Sequence, residues 1–164
     1  MNVSGRSRAC TGMTTTISTS GSPAWRAVFT ILLRSAPTSL HRIVRRRTGF
    51  GPVQELVVRG HRSGLDRSVL VVVAPVDEHW IVAHPNGTDA AWMRNLLAAG
   101  KATIHWPDGG WTPVRATLLV GGPMRDRAID HHAAAQLTPA RQLFRAARGH
   151  LRTNGAYVRL DPLA

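Results

Sequence analysis

Cysteine, lysine and tyrosine are nearly absent from the sequence: its 164 residues include one of each, Cys10, Lys101 and Tyr157. A lone cysteine excludes an intramolecular disulfide and a cysteine-based metal motif, which suits a reducing compartment. No apolar run approaches the roughly 20 residues of a membrane-spanning helix. Residues 1–22 are rich in Ser, Thr and Gly and lack the apolar core of a signal peptide. We therefore expect a cytoplasmic protein, whose membrane contact, if any, is peripheral.

Acidic residues are scarce, and the first third of the chain has none. The sequence holds 21 basic and 9 acidic residues; eight arginines and no acid lie in residues 1–54. Such an excess predicts an anionic partner, which could be a lipid surface, a nucleic acid or a polyanionic cofactor. We expect no nucleic acid, because the arginine-dense residues 34–47 contain no aromatic side chain on which a base could stack.

The common catalytic motifs are also missing. The sequence has no GxGxxG, Walker A, HExxH or GxSxG pattern, so common nucleotide-binding and hydrolase sites have no support. His131 and His132 follow Asp130, but adjacent helical residues point to different faces and make a poor metal site. We assign no catalytic residue and no metal ligand.

Three regions are expected along the chain. Residues 1–22 are predicted to be a disordered tail, and either Met1 or Met13 could be the start. A basic amphipathic segment follows over 23–51, with helices from Pro23 to about Arg34 and over Ser39–Arg47. The apolar stripe and arginines of 23–47 fit two arrangements equally: contact with an anionic membrane, or packing on the remaining domain, 52–164, with the arginines in water.

Residues 52–164 have the pattern of a mainly β (α+β) domain. Six strands are predicted, rich in β-branched residues: Val53–Arg59, Ser68–Ala74, His79–Ala83, Ala102–Trp106, Trp111–Val120 and Gly155–Leu160. Three helices are predicted: Asp89–Ala99 with Thr88 or Asp89 as N-cap and Gly100 as stop, Pro123–Gln136, and Pro139–Gly149 after a Thr138 cap. Mostly local strand pairing favours a small antiparallel barrel with flanking helices over a parallel sheet.

A tight basic turn over Gly60–Arg67 is the first candidate site. Ser63-Gly64 supplies the positive φ that a short strand connection needs. Arg62 and Arg67 flank it, and two guanidiniums, a hydroxyl and turn amides can receive a phosphate or carboxylate. Taken alone, a basic turn between strands is more often a solvated hairpin tip than an anion site. A second motif, Trp92-Met93-Arg94-Asn95-Leu96, follows on a predicted helix.

Together, the turn, the strand before it and the Trp-x-x-Asn-Leu helix resemble the deazaflavin-dependent nitroreductase family. This resemblance covers about residues 52–162 and implies an FMN-binding split-barrel-like fold that uses coenzyme F420 as hydride donor. It assigns the coenzyme's phosphate and the start of its oligoglutamate tail to Arg62, Ser63, Gly64 and Arg67. It further implies that the backbone at Asn86 and Gly87 approaches the deazaflavin ring and that Trp92 walls the pocket. Asn95 would fix a neighbouring backbone group or the cofactor by a hydrogen bond.

The function implied by the resemblance is hydride transfer from reduced F420 to a small electrophile, such as a quinone, nitro or enone compound. The alternative cofactor is FMN, which similar split barrels bind, and the alternative function is a non-enzymatic deazaflavin or FMN carrier. The sequence departs from the family pattern at His61, where arginine is usual, and its only tyrosine lies in the last strand. A homodimer remains open.

Overall fold

The computed structural model describes residues 23–34 and 51–163. The predicted tail over 1–22 and the helix predicted at Ser39–Arg47 lie outside these residues. The strands are β1 (Val53–Arg59), β2 (Asp66–Val72), β3 (Ala74–Val76), β4 (His79–His84), β5 (Lys101–His105), β6 (Trp111–Leu118) and β7 (Ala156–Pro162). The helices are α1 (Pro23–Arg34), α2 (Ala91–Ala99), α3 (Pro123–Ala135), α4 (Ala140–Ala146) and α5 (Arg148–Asn154), with a short 3₁₀ turn at Gly87–Asp89.

The described strands form one curled antiparallel sheet in the order β2-β1-β5-β6-β7-β4-β3. Its two edge strands, β2 and β3, are consecutive along the chain and are separated only by Val73. The amide of Val73 donates to the carbonyl of Pro52 over 2.8 Å, next to the start of β1. After Val73 the chain continues as β3, which pairs with β4. The chain thus passes from one edge of the sheet to the other, which brings the edges together into a half-barrel.

The same crossing explains one wrong boundary. We predicted a single strand over Ser68–Ala74, whereas the structure begins β2 at Asp66, ends it at Val72 and starts β3 at Ala74. The number of described strands is therefore seven rather than six. Pro75 fits β3 because an edge strand can lack one backbone donor.

The start predicted for the helix α2 is wrong, whereas its predicted stop is confirmed. The helix predicted from Asp89 begins at Ala91, and its N-cap residue is Ala90, not Thr88 or Asp89, because the 3₁₀ turn takes up those residues. Gly100 ends α2 as predicted: its φ is 64° and its amide donates to the carbonyl of Leu96.

The helix predicted over Pro139–Gly149 is two helices. At Ala147, with φ −85° and ψ 10°, α4 ends and α5 begins at the next residue. Pro139 itself occupies the N-cap position of α4 and makes no side-chain cap bond, so the predicted Thr138 cap is wrong. Ala147 is itself fully buried between the sheet and the helices.

Two apolar cores hold the described residues together. The interior of the half-barrel is lined by residues from the strands and from α2, among them Leu56, Val58, Met93, Leu96 and Ile104. The second core lies between the sheet and the helices α1, α3, α4 and α5, and it includes Phe29, Ile129, Phe144, Leu151 and Tyr157. Among the described helices, none is both long and apolar enough to cross a bilayer.

Candidate functional site

The turn between β1 and β2 is closed by its own backbone. The amide of Gly60 donates to the carbonyl of Leu65 and the amide of Gly64 donates to the carbonyl of Gly60, each over 2.8 Å. Gly64 has φ +64°, as the sequence predicted. At Gly60 a Cβ would lie 2.7 Å from Ser63 Oγ and 3.1 Å from the carbonyl oxygen of Leu65, so the turn depends on the absence of a side chain there.

One face of α2 lies against this turn. Ala91, Arg94 and Asn95 occupy positions i, i+3 and i+4, which share a face of a helix. Ala91 and Arg94 belong to the first turn of α2, where the helix dipole adds partial positive charge. This face of α2 therefore brings one further cation and an amide to the turn.

Together, turn and helix form a cleft of about 350 Å³, which we call the arginine cleft. Its lining residues are Gly60, His61, Arg62, Ser63, Arg67, Ala91, Arg94 and Asn95. Three of these carry guanidinium groups and none carries a carboxylate. Such a cleft attracts anions, and the planar donor fork of arginine suits phosphate and carboxylate oxygens.

The structure thus brings four predicted residues together, Arg62, Ser63, Arg67 and Asn95, and places Gly64 in the same turn. No binding role was predicted for Arg94, although its position on the same helix face as Ala91 and Asn95 could have indicated one. His61 also lines the cleft; the sequence analysis noted it only as a departure from the family pattern.

Asn95 fixes the turn to the helix. Its side chain is buried, with 8% exposed, and its Oδ1 accepts the backbone amide of His61 over 3.2 Å. Nδ1 of the His61 ring lies 2.6 Å from the same oxygen. The hydrogen bond expected of Asn95 is therefore made to a neighbouring backbone group.

Asn86 and Gly87 do not line the arginine cleft. The side-chain amide of Asn86 donates to the carbonyl of Arg26 and to Thr30 Oγ1, each over 3.2 Å, and its Oδ1 lies 3.4 Å from Nε2 of His150. Asn86 therefore ties α1 to the barrel. Gly87 has φ +81°, and a Cβ there would lie 2.9 Å from the carbonyl oxygen of Asn154, so only glycine fits this turn.

Trp92 is also outside the arginine cleft. It is half-buried, packs on the core of the half-barrel and makes an edge contact with the ring of His84 at 6.3 Å. Burial is the main influence on His84 and lowers the pKa of its imidazole, which accordingly stays neutral at neutral pH. The carbonyl of Gly87 lies 3.2 Å from His84 Nδ1, so Trp92, His84 and Gly87 form one neighbourhood beside α2.

Two other candidate groups are accounted for by packing. His131 is exposed and His132 is buried, so these adjacent residues do face different ways. Among the residues described, no group of three His, Cys, Asp or Glu side chains could hold a metal ion. Tyr157 lies on β7 and is buried in the second core, where burial raises the pKa of its phenol. It does not line the arginine cleft.

Comparison with solved structures gives likenesses at low sequence identity. An F420-H2-dependent reductase, FDR-A, has a TM-score of 0.54 and 15% identity, over 67% of this chain and 94% of that one. A protein described as a domain-swapped dimer has a TM-score of 0.56 and 15% identity, over 80% and 98%. HutZ, a heme storage protein from Vibrio cholerae, has a TM-score of 0.53 and 11% identity, over 77% and 89%.

The fold is a split β-barrel. This confirms the predicted fold class, an antiparallel half-barrel with flanking helices. No protein-family model and no curated protein matches the chain. Because these structural neighbours include both a reductase and a heme storage protein, the function has to be argued from the site itself.

Proposed function

We propose that this chain is a coenzyme F420-dependent oxidoreductase whose arginine cleft holds the anionic part of the coenzyme. The observation that carries the proposal is the convergence of three guanidiniums, one hydroxyl and a glycine turn on one cleft without a lining carboxylate. An F420-dependent reductase among the structural neighbours is consistent with this assignment.

The donor set of the cleft fits a ligand with several negative charges. Arg62 and Arg67 lie on the turn side and Arg94 lies on the helix side, so cations face the cleft from two elements. A phosphate followed by a chain of carboxylates matches such spaced cations better than a single phosphate does, because each guanidinium can pair with its own anionic group. Three spaced guanidiniums therefore favour F420, with its phosphate and oligoglutamate tail, over FMN.

The cleft does not fit the ring of the coenzyme. Apart from the Cβ of Ala91, its lining offers no apolar side chain against which an aromatic ring could pack. In the proposal the ring lies beside Trp92 and Gly87 instead, where the half-buried indole supplies an apolar wall. Asn86 then acts by holding the segment that carries Gly87, since its amide is already bonded to α1.

The chain's own residues bind and orient in this proposal. When bound and reduced, the deazaflavin supplies a hydride to the acceptor, which we propose to be a quinone, nitro or enone compound. Arg62, Arg67 and Arg94 hold the anionic tail, and the Ser63 hydroxyl donates to it. Asn95 keeps turn and helix at a fixed separation, so that both sides of the cleft reach the ligand.

Two titrations test the proposal. The full chain is titrated with F420 and separately with FMN, following fluorescence quenching, and is then assayed for oxidation of reduced F420 by a quinone and by a nitroaromatic compound. We expect F420 to bind more tightly than FMN and one acceptor class to be reduced. If neither cofactor binds, the proposal is rejected and the turn is only a solvated basic hairpin tip. If F420 binds but no acceptor is reduced, the protein is a deazaflavin carrier rather than an enzyme.

A further inference from the structure

We propose that His61 binds the anionic ligand through its Nε2 and takes up a proton as it does so, with Asn95 as its positioning residue. Affinity for an anion in the arginine cleft then rises as the pH falls. The inference uses the proposed function only in choosing F420 as one of two probes; the geometry that carries it is that of His61 and Asn95.

The backbone fixes which atom of the Asn95 amide faces His61. The amide N–H of His61 can only donate, and it points to Asn95 at 3.2 Å, so the atom that receives it is the oxygen, Oδ1. The identity of this oxygen therefore does not depend on any choice about the His61 ring.

That oxygen in turn fixes the tautomer of His61. Nδ1 of the ring lies 2.6 Å from Oδ1, and an amide oxygen can only accept. Nδ1 must therefore carry a hydrogen whatever the charge of the ring, and in the neutral ring the lone pair is on Nε2. Nε2 lies on the ring edge that Asn95 does not occupy, and no hydrogen bond reaches it from the described residues.

A neutral Nε2 can only accept, and a fully ionised phosphate, sulfate or carboxylate can also only accept. Contact between them therefore requires a proton, which Nε2 takes from solvent when the anion binds. The imidazolium then donates to the anion from Nε2 while Nδ1 continues to donate to Asn95. Binding at neutral pH is therefore accompanied by proton uptake and adds positive charge to the cleft.

The other charged groups around the cleft do not titrate in the same range. Arg62 on the turn, Arg67 on β2 and Arg94 on α2 are guanidiniums that remain charged throughout, and no carboxylate lines the cleft. His61 is the only imidazole in the lining. Among the lining side chains, only this ring can therefore make the binding of a fully ionised anion depend on pH near neutrality.

The first test compares F420 affinity of the wild type and His61→Arg at about pH 5.5 and about pH 8. We expect the wild type to bind on the order of tenfold more tightly at the lower pH. His61→Arg, with a permanent cation, is expected to bind with the same affinity at both. Equal pH dependence in both proteins, or none in the wild type, would overturn the inference.

The second test needs no coenzyme. Nitrogen NMR of histidine-labelled protein is expected to show Nδ1 protonated in the wild type at about pH 8, and both tautomers in Asn95→Ala. Sulfate, which stays fully ionised over this range, is expected to make the His61 ring protonate at higher pH. The proposal would be contradicted if sulfate did not change the protonation of the ring, or if the neutral ring carried its hydrogen on Nε2. A sulfate effect without F420 binding at either pH would reject the proposed function and retain this inference.

Discussion

His132 packs as a hydrophobic side chain would, with 3% of its surface exposed and the rings of Phe144 and Tyr157 about 6 Å away. Burial is the largest influence on the imidazole, and although a hydrogen bond with the backbone of Val72 opposes it, the pKa of His132 falls to about 4. The ring is therefore neutral in the folded protein at neutral pH. It links α3 to the end of β2 without carrying charge.

This burial predicts a loss of stability in mild acid. The unfolded chain takes up a proton at His132 near its ordinary pKa of about 6.5, whereas the folded chain does so only near 4. Stability is thus fully present above about pH 6.5 and falls as the pH drops towards 4, by about 2–3 kcal/mol at this residue. Urea unfolding at about pH 7.5 and about pH 4.5 measures the slope.

The control for this slope is His132→Gln, which has no titrating ring. Its absolute stability is expected to be lower because it loses contacts with two aromatic rings, but its acid-induced loss should be smaller by the same about 2–3 kcal/mol. His84 and His150, whose pKa values burial also lowers, remain in both proteins and cancel in the comparison. If wild type and variant lost the same free energy of unfolding in acid, protonation of His132 would not destabilise the folded protein.

The residues of the arginine cleft show what could be predicted from sequence at this scale. Arg62, Ser63 and Arg67 were predicted because they lie within one short turn, where sequence distance and spatial distance nearly coincide. The prediction for Asn86 concerned its backbone, and it did not include the bonds that the Asn86 side-chain amide makes to α1 across 56 and 60 residues of sequence. No local pattern encodes such a contact, because it depends on how two separate elements pack.

At the scale of elements, Phe29 is the fully buried side chain by which α1 enters the second core. Phe29 is fully buried, with the Phe144 ring at 5.1 Å edge-on and the His150 ring at 5.9 Å stacked. Phe29→Ala is expected to destabilise the protein by about 3–5 kcal/mol, since the cavity lies where three helices meet. Equilibrium urea unfolding at neutral pH measures this loss.

Ile31 on the same helix is the matched control, because 65% of it is exposed. Ile31→Ala is expected to change the free energy of unfolding by no more than about 0.5 kcal/mol. If Phe29→Ala proved as mild as Ile31→Ala, α1 would not be packed on the barrel in solution. The predicted alternative for residues 23–47, membrane contact in place of packing, would then gain support.

Element boundaries were predicted where local chemistry decides them. The bounds predicted for β1 from its β-branched residues, Val53–Arg59, are those of the strand that pairs with β2 and β5. The starts of α2 and α4 were missed because Ala90 and Pro139 occupy the N-cap positions without a side-chain cap bond. Tertiary packing fixes these two starts, and no capping residue marks them in the sequence.

For the whole molecule, the uneven charge suggests a role for the basic segment. Arg45, Arg46 and Arg47 lie outside the described residues, and we predict that they attract an anionic membrane surface. Changing all three to glutamine should weaken co-sedimentation with phosphatidylglycerol-containing vesicles on the order of a hundredfold, at about 1 kcal/mol for each charge. The attraction should also weaken as salt is added.

The control removes the same charge from the barrel, with Lys101, Arg115 and Arg145 changed to glutamine. All three are exposed and none forms an ion pair with a described acidic residue. We expect this variant to retain most of its vesicle binding. Equal losses in both variants would mean that net charge alone, and not the basic segment, attracts the protein to the vesicles.

The central claim is that the arginine cleft holds the anionic part of F420, and one measurement tests it most directly. The dissociation constant of F420 is compared between the wild type, Arg62→Ala/Arg67→Ala and a charge-matched control, Arg115→Ala/Arg145→Ala, with urea unfolding to verify that all three fold. Two lost charge-assisted contacts predict at least a hundredfold weaker binding, roughly 3 kcal/mol or more, in the cleft variant and little change in the control. Wild-type affinity in the cleft variant, or an equal loss in the control, would contradict the claim.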